Sequence, residues 1–158
     1  MIAQYEISLA APSDAMAIAE LSRDSIEYGL PWRWTARRVA RSVRDSETNV
    51  VVARESGRFM GFAIMKYQEE EAHLLLLAVQ AAQRRRGVAS ALLDWLESTV
   101  RAAGMTTIRL ETRAGNAAAL SFYEHHGFRE MGRQTGYYDG VEDALGMVKD
   151  LSVARSDR

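Results

Sequence analysis

The stretch Arg84-Arg85-Arg86-Gly87-Val88-Ala89-Ser90 decides how this sequence is interpreted. It follows the apolar run Leu74-Leu75-Leu76-Leu77-Ala78-Val79, which is typical of a buried strand. After it, apolar residues recur every four positions, as they do along one side of an amphipathic helix. These residues are Val88, Leu92, Leu96 and Val100. The stretch therefore connects a strand to the start of a helix.

The start of this helix lacks the residues that ordinarily cap it. None of residues 80–86 is Ser, Thr, Asp or Asn, and three arginines instead stand at the positive end of the helix dipole. A bound anion would accept hydrogen bonds from the backbone N–H groups and balance the arginine charge. Gly87 has no Cβ, so a phosphate can approach the backbone closely there. We interpret residues 84–90, called the 84–90 loop below, as a diphosphate-binding site.

Two other kinds of phosphate-binding loop do not match this sequence. The sequence has no G-x-x-x-x-G-K-[ST] segment, which argues against a nucleoside-triphosphate P-loop, and no G-x-G-x-x-G segment that would open a dinucleotide-binding fold. The remaining alternative is an arginine-rich solvated turn before an ordinary amphipathic helix.

Composition limits the class of protein. With 158 residues, 47% of them hydrophobic, the chain is long enough for one domain with its own core. We expect this domain over residues 1–151 and a flexible tail over residues 152–158. A formal net charge of −1 gives no support for nucleic acid as a partner. The absence of cysteine excludes disulfides, thiolate metal sites and a cysteine nucleophile.

The first residues lack the basic and apolar regions of a signal peptide, and no apolar run approaches the length of a membrane span. We therefore expect a cytoplasmic protein without a membrane partner.

The order of the expected elements predicts an α/β fold. Its sheet is mixed and mainly antiparallel, with helices on both faces and hairpins at the edges. The expected strands are 5–9, 50–53, 59–66 (joined to the previous one at Ser56-Gly57), 71–79, 106–112, 128–138 and 144–150. The expected helices are 12–28, one from the Thr35 cap to Arg44, 87–103 with Gly104 as its C-terminal cap, and one from the Asn116 cap to Gly127.

Three motifs in order resemble the GNAT superfamily of N-acetyltransferases. Arg84-x-x-Gly87-x-Ala89 after an apolar strand resembles its acetyl-CoA signature, and residues 116–128 resemble its second signature. Gly136-Tyr137-Tyr138 with the later Glu142-Asp143-Ala144 and Met147 is similar to the closing strands of the ribosomal-protein alanine N-acetyltransferase branch. With Pro31-Trp32 in the first third, the resemblance spans almost the whole chain.

The resemblance implies acetyl-CoA as the cosubstrate. The backbone of residues 77–79 would pair with the pantetheine arm and direct one N–H group at the thioester carbonyl. Asn116 would contact the cosubstrate while also capping its helix. The residues implied in cosubstrate binding are Leu77, Ala78, Val79, Arg84, Arg85, Arg86, Gly87, Val88, Ala89, Ser90, Asn116 and Tyr123.

Acetyl transfer to an amine needs a base, because a free alkyl amine has a pKa of about 10 and arrives mostly as ammonium. A carboxylate suits this task. In the resembled branch a Glu five residues before the capping Asn is the base, which implies Glu111 here; the alternative is an outward-facing strand carboxylate. The superfamily likewise implies Tyr123 as the acid that protonates the coenzyme thiolate; the alternative is a core aromatic residue.

His73 is a second candidate base, and a satisfied strand histidine is the more common case. In some histone acetyltransferases of the superfamily a basic Glu occupies the corresponding place. His125 and His126 are expected at the surface, and the spacing of the three histidines gives no metal signature.

The resemblance implies an amine as the acceptor, either a peptide N-terminus or a small molecule such as an amino acid, a polyamine or an antibiotic. The resemblance implies that Trp32, Tyr137 and Tyr138 contact it, although Trp32 and Trp34 equally suit a role as core plugs. A non-catalytic acetyl-CoA-binding module is the other function class. The presence of both Glu111 and Tyr123 favours the enzyme, because a pure binder needs neither. The sequence leaves open whether the protein forms a homodimer.

Overall fold

Seven strands and four α-helices form within residues 5–84 and 86–152, the part of the chain that the computed structural model describes. The strands are β1 (Glu6–Leu9), β2 (Thr48–Glu55), β3 (Arg58–Tyr67), β4 (Glu71–Val79), β5 (Thr107–Arg113), β6 (Arg129–Tyr138) and β7 (Glu142–Asp150). The helices are α1 (Ala15–Ser25), α2 (Ala36–Arg44), α3 (Val88–Ala102) and α4 (Ala117–His125). Short 3-10 turns occupy Pro12–Asp14 and Ala81–Gln83.

The sheet has the strand order β1-β2-β3-β4-β5-β7-β6. Its pairs β1–β2, β2–β3, β5–β7 and β6–β7 are antiparallel, whereas β4–β5 is parallel. The predicted α/β class with a mixed, mainly antiparallel sheet is thus confirmed.

Local signals located most elements correctly. The β2–β3 hairpin turns at Ser56 and Gly57, both with positive φ (52° and 79°), as a two-residue type I′ turn requires. Thr35 caps α2, since its hydroxyl accepts a hydrogen bond from the N–H of Arg38 at 3.3 Å. Gly104 follows α3 with a φ of +80°, as expected of a C-terminal cap.

The first predicted helix is too long at both ends. Pro12–Asp14 forms a 3-10 turn, and α1 ends at Ser25 instead of continuing to Tyr28. The carbonyl of Ser22 accepts from the N–H groups of both Ile26 and Glu27, at 2.9 and 2.8 Å, so the regular ladder stops there.

Contacts divide the chain into two compact units. Unit 1 comprises residues 1–66 and 75–99. Its core contains apolar side chains of α1, α2 and the neighbouring strands, among them Ile18, Val39, Val52 and Phe62, all fully buried. The apolar stripe predicted for α3 is also buried, with no more than 1% exposure at any of its four positions: Val88, Leu92, Leu96 and Val100.

Unit 2 comprises residues 67–74 and 100–158. In it, the parallel register of β4 and β5 runs from Glu71 opposite Thr107 to Leu74 opposite Leu110. Antiparallel β5–β7 pairing then extends from Thr107 to Arg113. Of the tail predicted over residues 152–158, all but the first residue lie outside the described part of the chain, so the tail and the domain boundary stay predictions.

None of the helices in the described ranges is long and apolar enough to cross a membrane.

Gly61 in β3 lies where unit 1 leaves no room for a side chain. A Cβ built there would be 2.7 Å from the carbonyl oxygen of Ala78 and 3.1 Å from the Cα of Val79, both backbone atoms of β4. We expect Gly61→Ala to lower the free energy of unfolding by about 1–3 kcal/mol, because the strand backbone must move apart. Thermal unfolding measures this as a fall in Tm of roughly 2–4 °C per kcal/mol.

Gly115→Ala is the matched control, since a Cβ there meets nothing within 4 Å among the described residues and its φ lies outside the left-handed region. It should change stability by no more than about 0.5 kcal/mol. Equal Tm values for the two variants would contradict the close approach at Gly61.

Candidate active site

The 84–90 loop presents backbone at the start of α3. The first hydrogen bond of the helix runs from the N–H of Ala91 to the carbonyl of Gly87 at 3.0 Å. The backbone N–H groups before Ala91 in the first turn therefore have no acceptor within the helix. Gly87 has a φ of +83°, and a Cβ built there would meet no described atom within 4 Å. An anion can therefore approach this backbone without displacing a neighbour.

The arginines of the loop do not surround that opening as unpaired charges. Arg86 donates to both carboxylate oxygens of Glu55, at 3.0 and 3.1 Å, and also to the side chain of Gln83. Arg84 donates to the hydroxyl of Ser25 at 3.3 Å and to the carbonyl of Val79 at 3.4 Å. Arg85 lies outside the described residues. Sequence reasoning missed these partners, which come from distant parts of the chain.

Residues 77–79 lie in β4 beyond Leu74, the last residue of the register with β5. The side chains of Ala78 and Val79 are each 7% exposed, and Leu77 is half-buried. With their side chains packed, these residues offer a ligand mainly their backbone groups.

Four charged or titratable side chains form a hydrogen-bonded row on β4 and β5 of unit 2. Residues two apart on a strand share a face, and the register places His73 opposite Arg109. Arg109 donates to Glu71 and, at 2.9 Å, to Oε2 of Glu111. The other oxygen of Glu111, Oε1, lies 2.6 Å from Nε2 of His73. We call Glu71, His73, Arg109 and Glu111 the charged row.

The charged row keeps Glu111 ionised although its side chain is only 11% exposed. Burial raises the pKa of Glu111, but the hydrogen bond and charge of His73 and the charge of Arg109 together outweigh it, and the pKa lies below its ordinary value. The two candidate bases from the sequence are therefore direct hydrogen-bond partners. The signal for the whole row was present as alternate positions in two neighbouring strands, but the sequence alone did not connect Glu71 and Arg109 with the two candidate bases.

Tyr123 lies on α4 with 8% exposure. Its ring makes edge contacts with Phe122 and Phe128, at centroid distances of 5.2 and 5.4 Å. Burial, with a smaller contribution from Tyr138, raises the pKa of Tyr123 above its ordinary value, so the hydroxyl stays protonated at neutral pH. At the start of the same helix, Asn116 accepts a hydrogen bond from the N–H of Ala119 at 3.1 Å, which confirms it as the N-cap.

The late hairpin of β6 and β7 adds two tyrosines to unit 2. The rings of Tyr137 and Tyr138 are nearly perpendicular, with centroids 4.9 Å apart. Burial raises the pKa of both, and the negative charge of Glu111 contributes to each shift. Glu111 thus acts electrostatically on both tyrosines of this hairpin.

The aromatic turn of unit 1 is held by a buried carboxylate. Glu27 is 7% exposed and accepts from the hydroxyl of Ser22 at 2.7 Å and from the N–H groups of Arg33 and Trp34 at 2.7 and 3.2 Å. Trp34 packs against the core, whereas Trp32 is 38% exposed, with the guanidinium of Arg23 5.2 Å from its ring. The sequence did not indicate Glu27, because its partners are set by the path of the turn.

Residues 15–128, more than half of the chain, match the acetyltransferase (GNAT) family. The chain belongs to this family. It is an N-acetyltransferase, and members of the family use acetyl-CoA.

Relatives extend this assignment. The chain is 38% identical over 102 residues to the [ribosomal protein bS18]-alanine N-acetyltransferase of Escherichia coli K12, which covers 63% of this chain and 69% of that protein. It superposes on the crystal structure of the ribosomal-protein-S18-alanine N-acetyltransferase from Escherichia coli with a TM-score of 0.81 and 30% identity, covering 98% and 99% of the two chains. The PaiA N-acetyltransferase of Thermoplasma acidophilum, solved with coenzyme A, shares the fold (TM-score 0.80, 18% identity, coverage 93% and 99%).

The open backbone around Gly87, at the start of a helix, is compatible with a bound anion such as the diphosphate of acetyl-CoA. When bound, acetyl-CoA would supply the acetyl thioester for the reaction.

We expect wild-type protein to bind acetyl-CoA with a micromolar dissociation constant that rises with added salt, since charge-assisted phosphate contacts are screened. Gly87→Asp should abolish binding by placing a negative charge at the anion site. Isothermal titration calorimetry measures both effects.

Gly87→Asn is the matched control, because Asn has nearly the same size, tolerates a positive φ and carries no charge. It should bind acetyl-CoA more weakly than the wild type, because it adds a side chain, but more tightly than the Asp variant, because it adds no charge. If the Asp variant binds acetyl-CoA as tightly as the Asn variant, the diphosphate does not bind at the 84–90 loop.

Proposed function

We propose that this acetyltransferase acetylates the α-amine of a peptide or protein N-terminus. The observation that carries the proposal is the pair of tyrosines at the end of β6, Tyr137 and Tyr138, whose ring centroids are 4.9 Å apart in the unit that also contains Glu111. Tyrosines combine rigid apolar contact with a hydroxyl that can hydrogen-bond to peptide backbone. A peptide offers donors and acceptors to such a surface, whereas a polyamine offers none along its chain carbons.

The relatives support the same acceptor class. The Escherichia coli relative is named for acetylating an alanine of ribosomal protein bS18, and its similarity to this chain exceeds one third identity. A ribosomal-protein acceptor would also agree with a cytoplasmic location, which stays a prediction.

In this proposal each unit has its own tasks. In unit 1, the backbone of residues 77–79 and the 84–90 loop hold acetyl-CoA. In unit 2, the hydrogen-bonded pair of His73 and Glu111 supplies the base that removes a proton from the ammonium group of the acceptor. Tyr123 holds a proton at its hydroxyl for the departing sulfur, and Tyr137 and Tyr138 contact the acceptor.

We expect a short peptide with a free small N-terminal residue and one internal lysine to be acetylated at its α-amine. Tandem mass spectrometry of the product locates the acetyl group directly. A peptide with a blocked N-terminus and the same lysine is the control and should remain unmodified. Modification of the lysine alone, or activity only on amino acids, polyamines or antibiotics, would replace the peptide proposal with a different acceptor. Tight acetyl-CoA binding without transfer to any amine would indicate a binding module.

Tyr123→Phe should lower kcat by about a hundredfold while leaving acetyl-CoA affinity nearly unchanged. This loss of kcat is at the lower end of what general acid–base groups typically contribute, because the burial that keeps the Tyr123 hydroxyl protonated also makes it a weaker acid. Phe preserves the ring contacts with Phe122 and Phe128. Steady-state kinetics and calorimetry measure the two effects, with Tyr28→Phe at an exposed tyrosine as the control. An unchanged kcat would remove Tyr123 from the proton transfer.

A further inference from the structure

The hydrogen bond between His73 and Glu111 has a direction. An ionised carboxylate has no hydrogen to donate, so in the 2.6 Å contact the hydrogen must be on Nε2 of His73. Glu111 is ionised near neutral pH, because the pKa of an ordinary carboxyl already lies well below it and Oε2 accepts from the Arg109 guanidinium at 2.9 Å. When the imidazole is neutral, only one of its nitrogens carries hydrogen, so the lone pair of His73 is then on Nδ1.

Glu111 is poorly suited to take the proton itself. Each of its oxygens already accepts from a neighbour: Oε1 from His73, and Oε2 from Arg109 at 2.9 Å. A carboxylate with a lowered pKa is a weak proton acceptor near neutral pH, because the efficiency of a general base rises with its pKa up to the working pH. The same carboxylate is well placed to stabilise a positive charge on the adjacent ring.

The charge balance of the row agrees with this division. Glu71 and Glu111 carry two negative charges, and Arg109, which bonds to both, carries one positive charge. With a neutral His73 the row has one uncompensated negative charge. A proton taken up at Nδ1 brings the net charge of the row to zero, and the carboxylate of Glu111 lies 2.6 Å from the ring that carries it.

From this geometry we infer that His73 is the group that accepts the proton of the acceptor amine, at Nδ1, and that Glu111 is its positioning carboxylate. The inference rests on the proposed function and names the base within that site. The N–H bond of the ammonium breaks, its electron pair stays on the amine nitrogen, and an N–H bond forms at Nδ1. Glu111 holds the ring through Nε2 during this step and then faces an imidazolium.

Among the described residues of unit 2, four further titratable or charged side chains act on the pair of His73 and Glu111. Glu71 on β4 and Arg109 on β5 complete the row, and Tyr137 and Tyr138 on β6 feel the charge of Glu111. Since the pKa of each tyrosine is raised, both phenols stay neutral where imidazole groups titrate, between about pH 5 and pH 8. They add no charge change of their own to a pH profile in that range.

His73→Gln tests the assignment, because the amide of Gln can donate to Glu111 as Nε2 does but cannot accept a proton. We expect kcat for the peptide acceptor to fall by about a hundredfold to ten-thousandfold. His73→Leu, which also loses the hydrogen bond to Glu111, should fall at least as far. A merely structural His73 gives the opposite pattern, in which Gln retains near-wild-type activity and only Leu is impaired; that result would overturn the inference.

The pH dependence provides a readout that a structural role does not change. The α-amine of the peptide titrates equally with both enzymes, so the ratio of kcat/KM for wild type to that for His73→Gln isolates the group on the enzyme. This ratio should fall towards acidic pH within the range where imidazoles become protonated. A ratio that is independent of pH between about 5 and 8 would overturn the inference.

The tautomer can be read without any acceptor. Nitrogen-15 NMR of the ring of His73 in the wild-type protein, at a pH where the ring is neutral, should show hydrogen on Nε2 and a lone pair on Nδ1. Hydrogen on Nδ1 would overturn the inference. Failure of the proposed function is distinguishable, because it appears as an absence of α-amine acetylation by the wild type while this spectrum is unaffected.

Discussion

The parallel pairing of β4 with β5 is the constraint on which the rest of this structure depends. Two parallel neighbours cannot be joined by a hairpin, so the chain needs a crossover connection between them. Here that connection contains the 84–90 loop and α3. A helix N-terminus therefore follows the end of β4. The same pairing fixes the register that places His73 opposite Arg109 and so assembles the charged row.

The charged row is poorly explained by stability alone. Removing charges from water costs several kcal/mol per ion, and replacing a buried ion pair with apolar residues is often neutral or stabilising. Because the pKa of Glu111 in the folded protein is below its ordinary value, its contacts stabilise the fold above that ordinary value, and this contribution is lost as pH falls through the lowered pKa. A hydrophobic strand pair would lack this pH sensitivity. What the row provides is a carboxylate held ionised next to an imidazole, which is useful for proton transfer.

Local chemistry determined how much could be predicted from the sequence. The Thr35 and Asn116 caps, the Ser56-Gly57 turn and the apolar stripe of α3 depend on residues a few positions apart, and each is confirmed. The predicted end of α1 was wrong, because the Ser22 carbonyl accepts from two backbone N–H groups and the regular helical hydrogen bonds stop there. The partners of Arg86 and Glu111 were missed since they lie 31 and 38 positions away in the sequence. Only the tertiary fold brings such side chains together, and no short motif encodes it.

The arginines illustrate the same limit and also clarify how the loop suits an anion. The sequence suggested three unpaired positive side chains at the helix start. In the structure Arg86 is paired with Glu55, and the two side chains are 40% and 34% exposed. An ion pair of this kind is worth about 0–1 kcal/mol, so an incoming phosphate exchanges it at little cost. The fixed element is the backbone around Gly87, whose open approach does not depend on any side-chain rotamer. β4 thus contributes at both ends: the register of residues 71–74 places His73 opposite Arg109, and residues 77–79 lead into backbone that is open to an anion.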